Sequence, residues 1–310
     1  MLYAYWSTVY NALERLATLG LSHRRIEIVT FACGGTDFAM NPKTSVIIPV
    51  YNAVRALELV LTGYCRQSFH DFEILIADDG SGPEIRAFTD DFSRRSPFPI
   101  QYVSQPDEGF RKSRILNEAV RASSAHYLIF ADGDCIPHPY FVGAHWDGKC
   151  ARTVLCGRRV HLNQKISQSL TAQEILAGKL ERLAPAKVLD ALLGRGGHWD
   201  EGILIRNRTL HGWVNHKEPK LLGCNFSLEK SLIEEINGFN EDFIGYGGED
   251  TELEHRLRLA HARLIWVRHR AIQYHLYHPA RLGNQANLAA LERAQAEGKA
   301  ACRNGLRKDL

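Results

Sequence analysis

The sequence predicts an α/β fold built around a parallel sheet, on three observations. Between Ser45 and Ala131, short β-branched runs alternate with longer amphipathic stretches, the pattern of βαβ units. Each run ends in a polar loop on the same side of the expected sheet, where ligands of open α/β sheets bind. The chain has 310 residues, 45% of them hydrophobic and 24% charged, enough to bury a sizeable core.

The expected strands are Ser45–Val50, Glu73–Ala77, Ile100–Ser104 and Tyr127–Ala131. Val54–Gln67 carries helical periodicity, with Leu57, Val60 and Leu61 on one face, and so does Gly109–Ser123, with Ile115, Leu116 and Ala119. After Cys150 the rhythm weakens and a second lobe is expected. Ile166–Leu193 reads as one or two helices interrupted near Pro185, with a spacing that suits core packing first, an acceptor lid or peripheral membrane contact otherwise. An apolar strand over Leu221–Leu228 precedes a helix and the acidic loop Gly247-Gly248-Glu249-Asp250, and a further strand spans Leu264–Val267. The expected division is an N-terminal extension over 1–43, a first half over 44–150 that carries the βα units, a second half over 151–280, and a helical tail over 281–310. In the extension, Thr8–Leu19 is either an amphipathic helix or precedes a translation start at Met40, the other methionine being Met1.

The formal charge of +3 comes from scattered lysines and arginines, so no basic block points to nucleic acid. The seven cysteines include no CxxC pair, which argues against a disulfide framework or a structural zinc site. No apolar run reaches the ~20 residues of a membrane span, and the expectation is a cytoplasmic chain.

Four segments carry chemistry. Asp132-Gly133-Asp134 ends an apolar strand, where alternate residues can aim two carboxylates at one Mg²⁺ or Mn²⁺ holding a diphosphate. Alone it reads more readily as an Asp-Gly turn. Asp78-Asp79-Gly80-Ser81 ends another strand, either as a turn or as an acceptor for a nucleobase or ribose. In Gly247-Gly248-Glu249-Asp250 an acid at a helix N-terminus can take a proton from a hydroxyl, or merely complement the helix dipole. In Tyr274-His275-Leu276-Tyr277-His278 a neutral imidazole can complete the shell of a metal already held by carboxylate, and mixed nitrogen and oxygen ligands favour manganese.

Taken together, Ser45–Asn52, the Asp78–Ser81 turn and Asp132–Asp134 resemble the nucleotide-binding half of family 2 glycosyltransferases with the GT-A fold. Asn225-Phe226-Ser227, Gly238-Phe239-Asn240 and the Gly247–Asp250 loop look like the galactosyltransferase-type region of chondroitin-type polymerases and animal β-1,4-galactosyltransferases. The resemblance spans roughly residues 44–280. It implies that Pro49, Tyr51 and Asn52 lie at the nucleotide with Asp79 on the base, and that Arg111 and Arg114 lie near the nucleotide and diphosphate. Asp132 would contact ribose or metal, and Asp134 and His275 would ligate the metal, with His278 a competitor to His275. Asp250 and Glu249 would be the catalytic residues, Asp250 as the base and Glu249 as an acceptor- or donor-sugar contact, with Asn225 and Tyr246 further contacts to the bound nucleotide sugar. Tyr246 stands where the animal enzymes carry tryptophan, at a position that shapes the sugar platform.

The reaction so implied is an inverting transfer of a hexose or N-acetylhexosamine from a UDP-sugar to a glycan or lipid-linked oligosaccharide hydroxyl, in bacterial surface polysaccharide synthesis. Such an enzyme would work at the inner face of the membrane. Two rivals remain. A sugar nucleotidyltransferase would need a glycine- and lysine-rich phosphate loop, which Pro49-Val50-Tyr51-Asn52 does not offer. A non-catalytic sugar-binding subunit would carry a degraded acidic pair, whereas Asp132, Asp134, Glu249, Asp250 and His275 are all present.

Overall fold

The computed structural model describes residues 42–183, 187, 197–280 and 283–308; Thr8–Leu19, Met1, Met40 and most of the segment after Pro185 fall outside them. The first half runs β1 (Thr44–Val50), α1 (Val54–Tyr64), β2 (Phe72–Asp78), α2 (Pro83–Ser93), β3 (Ile100–Ser104), α3 (Lys112–Ala122), β4 (Tyr127–Ala131), β5 (Cys135–Pro137) and α4 (Phe141–Gly148). The second half runs β6 (Thr153–Cys156), β7 (Val160–His161), α5 (Gln164–Ser169), α6 (Ala172–Leu176), α7 (Arg208–Val214), β8 (Asn225–Glu229), α8 (Lys230–Glu235), α9 (Glu249–Leu259), β9 (Arg263–Trp266), β10 (Gln273–His275) and α10 (Gln285–Glu297).

β1 and β2 lie in the sheet centre with both faces covered, which is why they read as nearly unbroken apolar runs. Successive side chains go to opposite sides. Val46, Ile48, Ile74 and Ile76 join the core under α1, while Ile47, Leu75, Leu128 and Phe130 pack with Ile115, Leu116 and Ala119 of α3. The main sheet has the order β3-β2-β1-β4-β8-β6-β9. Its first four strands are parallel, so β1, β2 and β4 all end at one edge. β8 enters antiparallel beside β4, with Phe226 opposite Phe130 and the two rings stacked at 4.6 Å between centroids.

A second sheet of order β5-β10-β7 positions the later residues. In it His275 is paired with Cys135 on one side and His161 on the other. A strand late in the sequence is thereby fixed beside the residue that follows Asp134.

The expected strands over 45–131 are found, each within one residue of its expected end. The 166–193 region contains α5, α6 and a further helical turn at 179–183, and Ile175 and Leu180 are buried while Leu176 is exposed. The apolar stretch Leu221–Leu228 becomes a strand only from Asn225.

Candidate active site

The strand ends meet at one cleft. It is lined by Pro49, Tyr51 and Asp79 from β1 and β2, by Asp132, Gly133 and Asp134 after β4, and by Tyr246, Glu249, Asp250, His275 and His278 from the second half. Gly133 sits over β1, where a Cβ would lie 2.7 Å from the Pro49 carbonyl oxygen, so the Asp-Gly-Asp turn closes onto the sheet only without a side chain there.

Asp78 and Asp79 separate into two roles. Asp78 is buried in its own turn, accepting hydrogen bonds from Ser81 and the Tyr102 hydroxyl. Asp79 turns to the cleft, with its carboxylate held by the Gln105 amide and by the Arg111 backbone N–H at 2.9 Å. Burial raises its carboxyl above the ordinary value against these two bonds. Asn52, in the left-handed region at φ 47°, ties the first loop to the second: its N–H donates to Ser81 Oγ and its Oδ1 accepts from Gly82 N. Tyr51 is half exposed, and its hydroxyl donates to Asp107 at 3.1 Å.

Asp134 stands beside two imidazoles. Nε2 of His275 and of His278 lie 3.5 and 3.4 Å from Asp134 Oδ2, and the Leu276 N–H donates to the Asp134 carbonyl. Burial would push the Asp134 carboxyl up, but His275, His278 and Arg159 outweigh it and hold it at about 2. One carboxylate oxygen and two imidazole nitrogens within 4.8 Å of one another fit a divalent cation with mixed nitrogen and oxygen preference. Asp132 is not in that group. Its Oδ1 accepts from Lys112 Nζ at 2.9 Å, and Arg159 lies 3.5 Å from its other oxygen.

Asp250 occupies the first turn of α9, after two left-handed glycines at φ 101° and 92°. Its Oδ2 accepts the Gly223 N–H at 2.7 Å. Burial pushes its carboxyl up to about 6 against the pull of Lys112, and Glu249 adds to the rise. Glu249 bends back to accept the Gly247 N–H at 2.9 Å. Tyr246 is exposed at the rim.

Four expected contacts place no side chain in the cleft lining, Asn52 among them, which ties two loops together instead. Asn225 is fully buried, its amide donating to the Arg158 and Ala271 carbonyls and its oxygen meeting His145 Nε2, so it braces the sheet and does not line the cleft. Arg114 pairs with Glu108 at 3.0 Å, and Arg111 reaches the site through its backbone N–H to Asp79. Lys112 and Arg159 are the cations that line the cleft, and the sequence reading passed over both. Burial would lower the Lys112 ammonium, yet Asp132, Asp250 and Glu249 together hold it well above the ordinary lysine value. A single lysine one residue from Arg111 has no spacing signal; its position in the first turn of a helix that starts at a strand edge was the available clue.

The chain is 27% identical over 231 residues to the chondroitin synthase of Escherichia coli, covering 69% of this chain and 32% of that one. It is 30% identical over 228 residues to the validoxylamine A glucosyltransferase of Streptomyces hygroscopicus subsp. jinggangensis, covering 70% of this chain and 51% of that one. The chain thus spans about a third to a half of the length of these curated relatives. Among solved structures, a mannosyltransferase from Pyrobaculum calidifontis in complex with GDP-Man and Mn²⁺ superposes with a TM-score of 0.52 at 13% identity, covering 85% of this chain and 72% of that one. S. aureus TarS 1–349 in complex with UDP-GlcNAc gives 0.50 at 16%, covering 77% and 60%. Both share the GT-A architecture of a mostly parallel sheet flanked by helices. The "N-terminal domain of galactosyltransferase" family matches residues 212–279. With its "Glycosyl transferase family 2" match over residues 45–235, more than half of its length, the chain belongs to glycosyl transferase family 2.

Proposed function

We propose that the protein is an inverting glycosyltransferase that moves a hexose or N-acetylhexosamine from a UDP-sugar to a hydroxyl of a glycan or lipid-linked oligosaccharide. The observation that carries this reading is Asp250: a carboxylate raised to about 6 in the same cleft as Asp134, His275 and His278. A carboxyl near 6 is ionised at neutral pH and still basic enough to draw a proton from a hydroxyl in the transition state.

Asp79, with Pro49 and Tyr51 beside it, faces the base of the donor. Asp134 and His275, with His278 alongside, would hold Mn²⁺ or Mg²⁺. The cation supplies Lewis-acid neutralisation of the charge that builds on the leaving diphosphate. Lys112 and Arg159 add fixed positive charge at the same end of the cleft. Asp250, its carboxylate held by the Gly223 N–H at Oδ2, orients the acceptor hydroxyl and takes its proton. The acid that receives the proton and the acid that faces the metal are different residues, so neither charge has to be spent twice. Tyr246 at the rim offers a flat face to a sugar ring.

The uridine donor is supported by the TarS complex with UDP-GlcNAc, and a glycan acceptor in polysaccharide synthesis by the chondroitin synthase relative. Work at the inner face of the membrane would suit a lipid-linked acceptor; among the described residues no helix is long and apolar enough to cross a bilayer. Calorimetric titration with UDP, UDP-galactose, UDP-glucose and their N-acetyl forms, with and without Mn²⁺, tests the reading. Metal-dependent binding that disappears in Asp134→Ala is the expected result, and no binding under any condition overturns it.

A further inference from the structure

The acidic loop before α9 has little stiffness of its own. Gly245, Gly247 and Gly248 are all left-handed, at φ 82°, 101° and 92°, and glycines lose more conformational freedom on ordering than any other residue. Yet this loop must hold Tyr246, Glu249 and Asp250 in one arrangement.

Its backbone carbonyls are held from the tail. Asn284 Nδ2 donates to the Ile244 carbonyl and Asn284 N to the Tyr246 carbonyl, each at 2.8 Å, and Asn287 Nδ2 donates to the Gly247 carbonyl at 2.8 Å. Of α10 only Asn287 is buried, so this helix has no apolar face seated in the core. What this helix buries is a hydrogen-bonding side chain aimed at the loop.

The far end of the tail is clamped to the body. Asn237, fully buried at φ 63°, donates through Nδ2 to the Cys302 and Arg307 carbonyls at 2.8 and 2.9 Å, and its Oδ1 accepts the Arg307 N–H at 2.8 Å. The Leu306 N–H donates to the Asn237 carbonyl, and a Cβ at Gly305 would lie 1.8 Å from that oxygen. The tail is thus fixed at 302–307 and bonded to the loop at 284 and 287. Residues 283–308 lie beyond both matched family ranges, which end at 235 and 279.

We infer that residues 283–308 are a brace for the acceptor side of the catalytic cleft, with Asn284 and Asn287 as positioning residues for Tyr246, Glu249 and Asp250. The inference rests on the catalytic reading for its effect on turnover, and on hydrogen bonds alone for its effect on the loop. Asn287→Leu keeps the branched shape, with somewhat more bulk, and removes the donor; Asn287→Ala removes shape and donor together, and Leu232→Ala in α8 serves as a core variant. Hydrogen–deuterium exchange is followed over 244–249, with turnover at saturating donor and UDP affinity measured in parallel. The expected result for both Asn287 variants is about tenfold faster exchange confined to 244–249 and about tenfold slower turnover, with UDP affinity within about twofold of the parent. Exchange at 244–249 unchanged from the parent, or accelerated no more than in Leu232→Ala, overturns the brace. Should the parent transfer no sugar from any nucleotide donor, the catalytic reading falls, and the exchange comparison still decides the brace.

Discussion

The Gly223 N–H donates to Asp250 Oδ2 at 2.7 Å, and a Cβ at Gly223 would lie 2.2 Å from Asp250 Oδ1. The obstructed atom is the free end of a side chain, so a methyl group at 223 is accommodated by turning the carboxylate aside rather than by moving backbone. Gly223→Ala is expected to lower turnover by up to about 100-fold through that misplacement while leaving the melting temperature nearly unchanged. Steady-state kinetics beside a thermal melt check it; a large loss of Tm with normal turnover of the folded fraction would refute it.

Asp250→Asn keeps an oxygen for the Gly223 N–H and removes the base. Turnover should fall by about 10² to 10⁴, with UDP affinity unchanged by calorimetry. Turnover that survives means the proton goes elsewhere.

The pH dependence has a definite sign. The Asp250 carboxyl must be ionised to act, so kcat/KM should rise as pH increases through about 6 and level off above it, and the residual rate of Asp250→Asn should lack that step. Folding follows the opposite course. With this carboxyl raised in the folded chain, the folded state binds more protons than the unfolded one between the ordinary Asp value and about 6. Its contribution to stability therefore declines as pH rises through that window. Urea titrations on either side of the window should find Asp250→Asn gaining stability relative to the parent at the higher pH.

The two imidazoles beside Asp134 are not equivalent. His275 is 9% exposed and paired between two strands, whereas His278 is 39% exposed and follows the sheet. His275→Ala should weaken Mn²⁺-dependent UDP binding more than His278→Ala, since the better-ordered ligand loses less freedom on coordination. Parallel calorimetry of the two variants settles the order, and an equal or reversed ranking counts against it.

Within α9, Glu252 and Arg256 form a bidentate pair with both side chains 2% exposed, and Arg256 also donates to the Ile236 and Gly238 carbonyls. Arg256→Ala leaves a buried carboxylate and two carbonyls without this partner. A loss of about 3–5 kcal/mol in urea unfolding is expected. A loss below about 1 kcal/mol would mean that water or a neighbour takes over.

Much of the first half was legible because parallel strands covered on both faces read as apolar runs, as in Val46–Ile48 and Ile74–Ile76. α2 was not anticipated: only Ile85, Thr89 and Phe92 are buried in it, and its acidic and basic residues mask the period. In the site, Asp134, His275 and His278 come together through a small sheet that joins residues 140 positions apart, and only the resemblance linked them beforehand. Asn225 was expected as a ligand contact only because its segment Asn225-Phe226-Ser227 resembles the galactosyltransferase-type region. Its neighbours His145, Arg158 and Ala271 are distant in sequence and decide otherwise. Lys112 and Arg159 went unremarked for the same reason: Asp132 is what makes them a cluster, and that meeting is tertiary.

The insertion of β8 beside β4 bears on how the gene can be cut. The expected division at about residue 150 does not follow the sheet: β4 exchanges backbone hydrogen bonds with a strand that begins at Asn225. A fragment ending at 150 would keep Asp79, Asp132 and Asp134 but lose the neighbour of β4, baring a hydrophobic edge that invites other chains. The segments before and after residue 150 therefore cannot be exchanged between relatives as separate cassettes. A chimaera must carry β8 together with the strand it zips against.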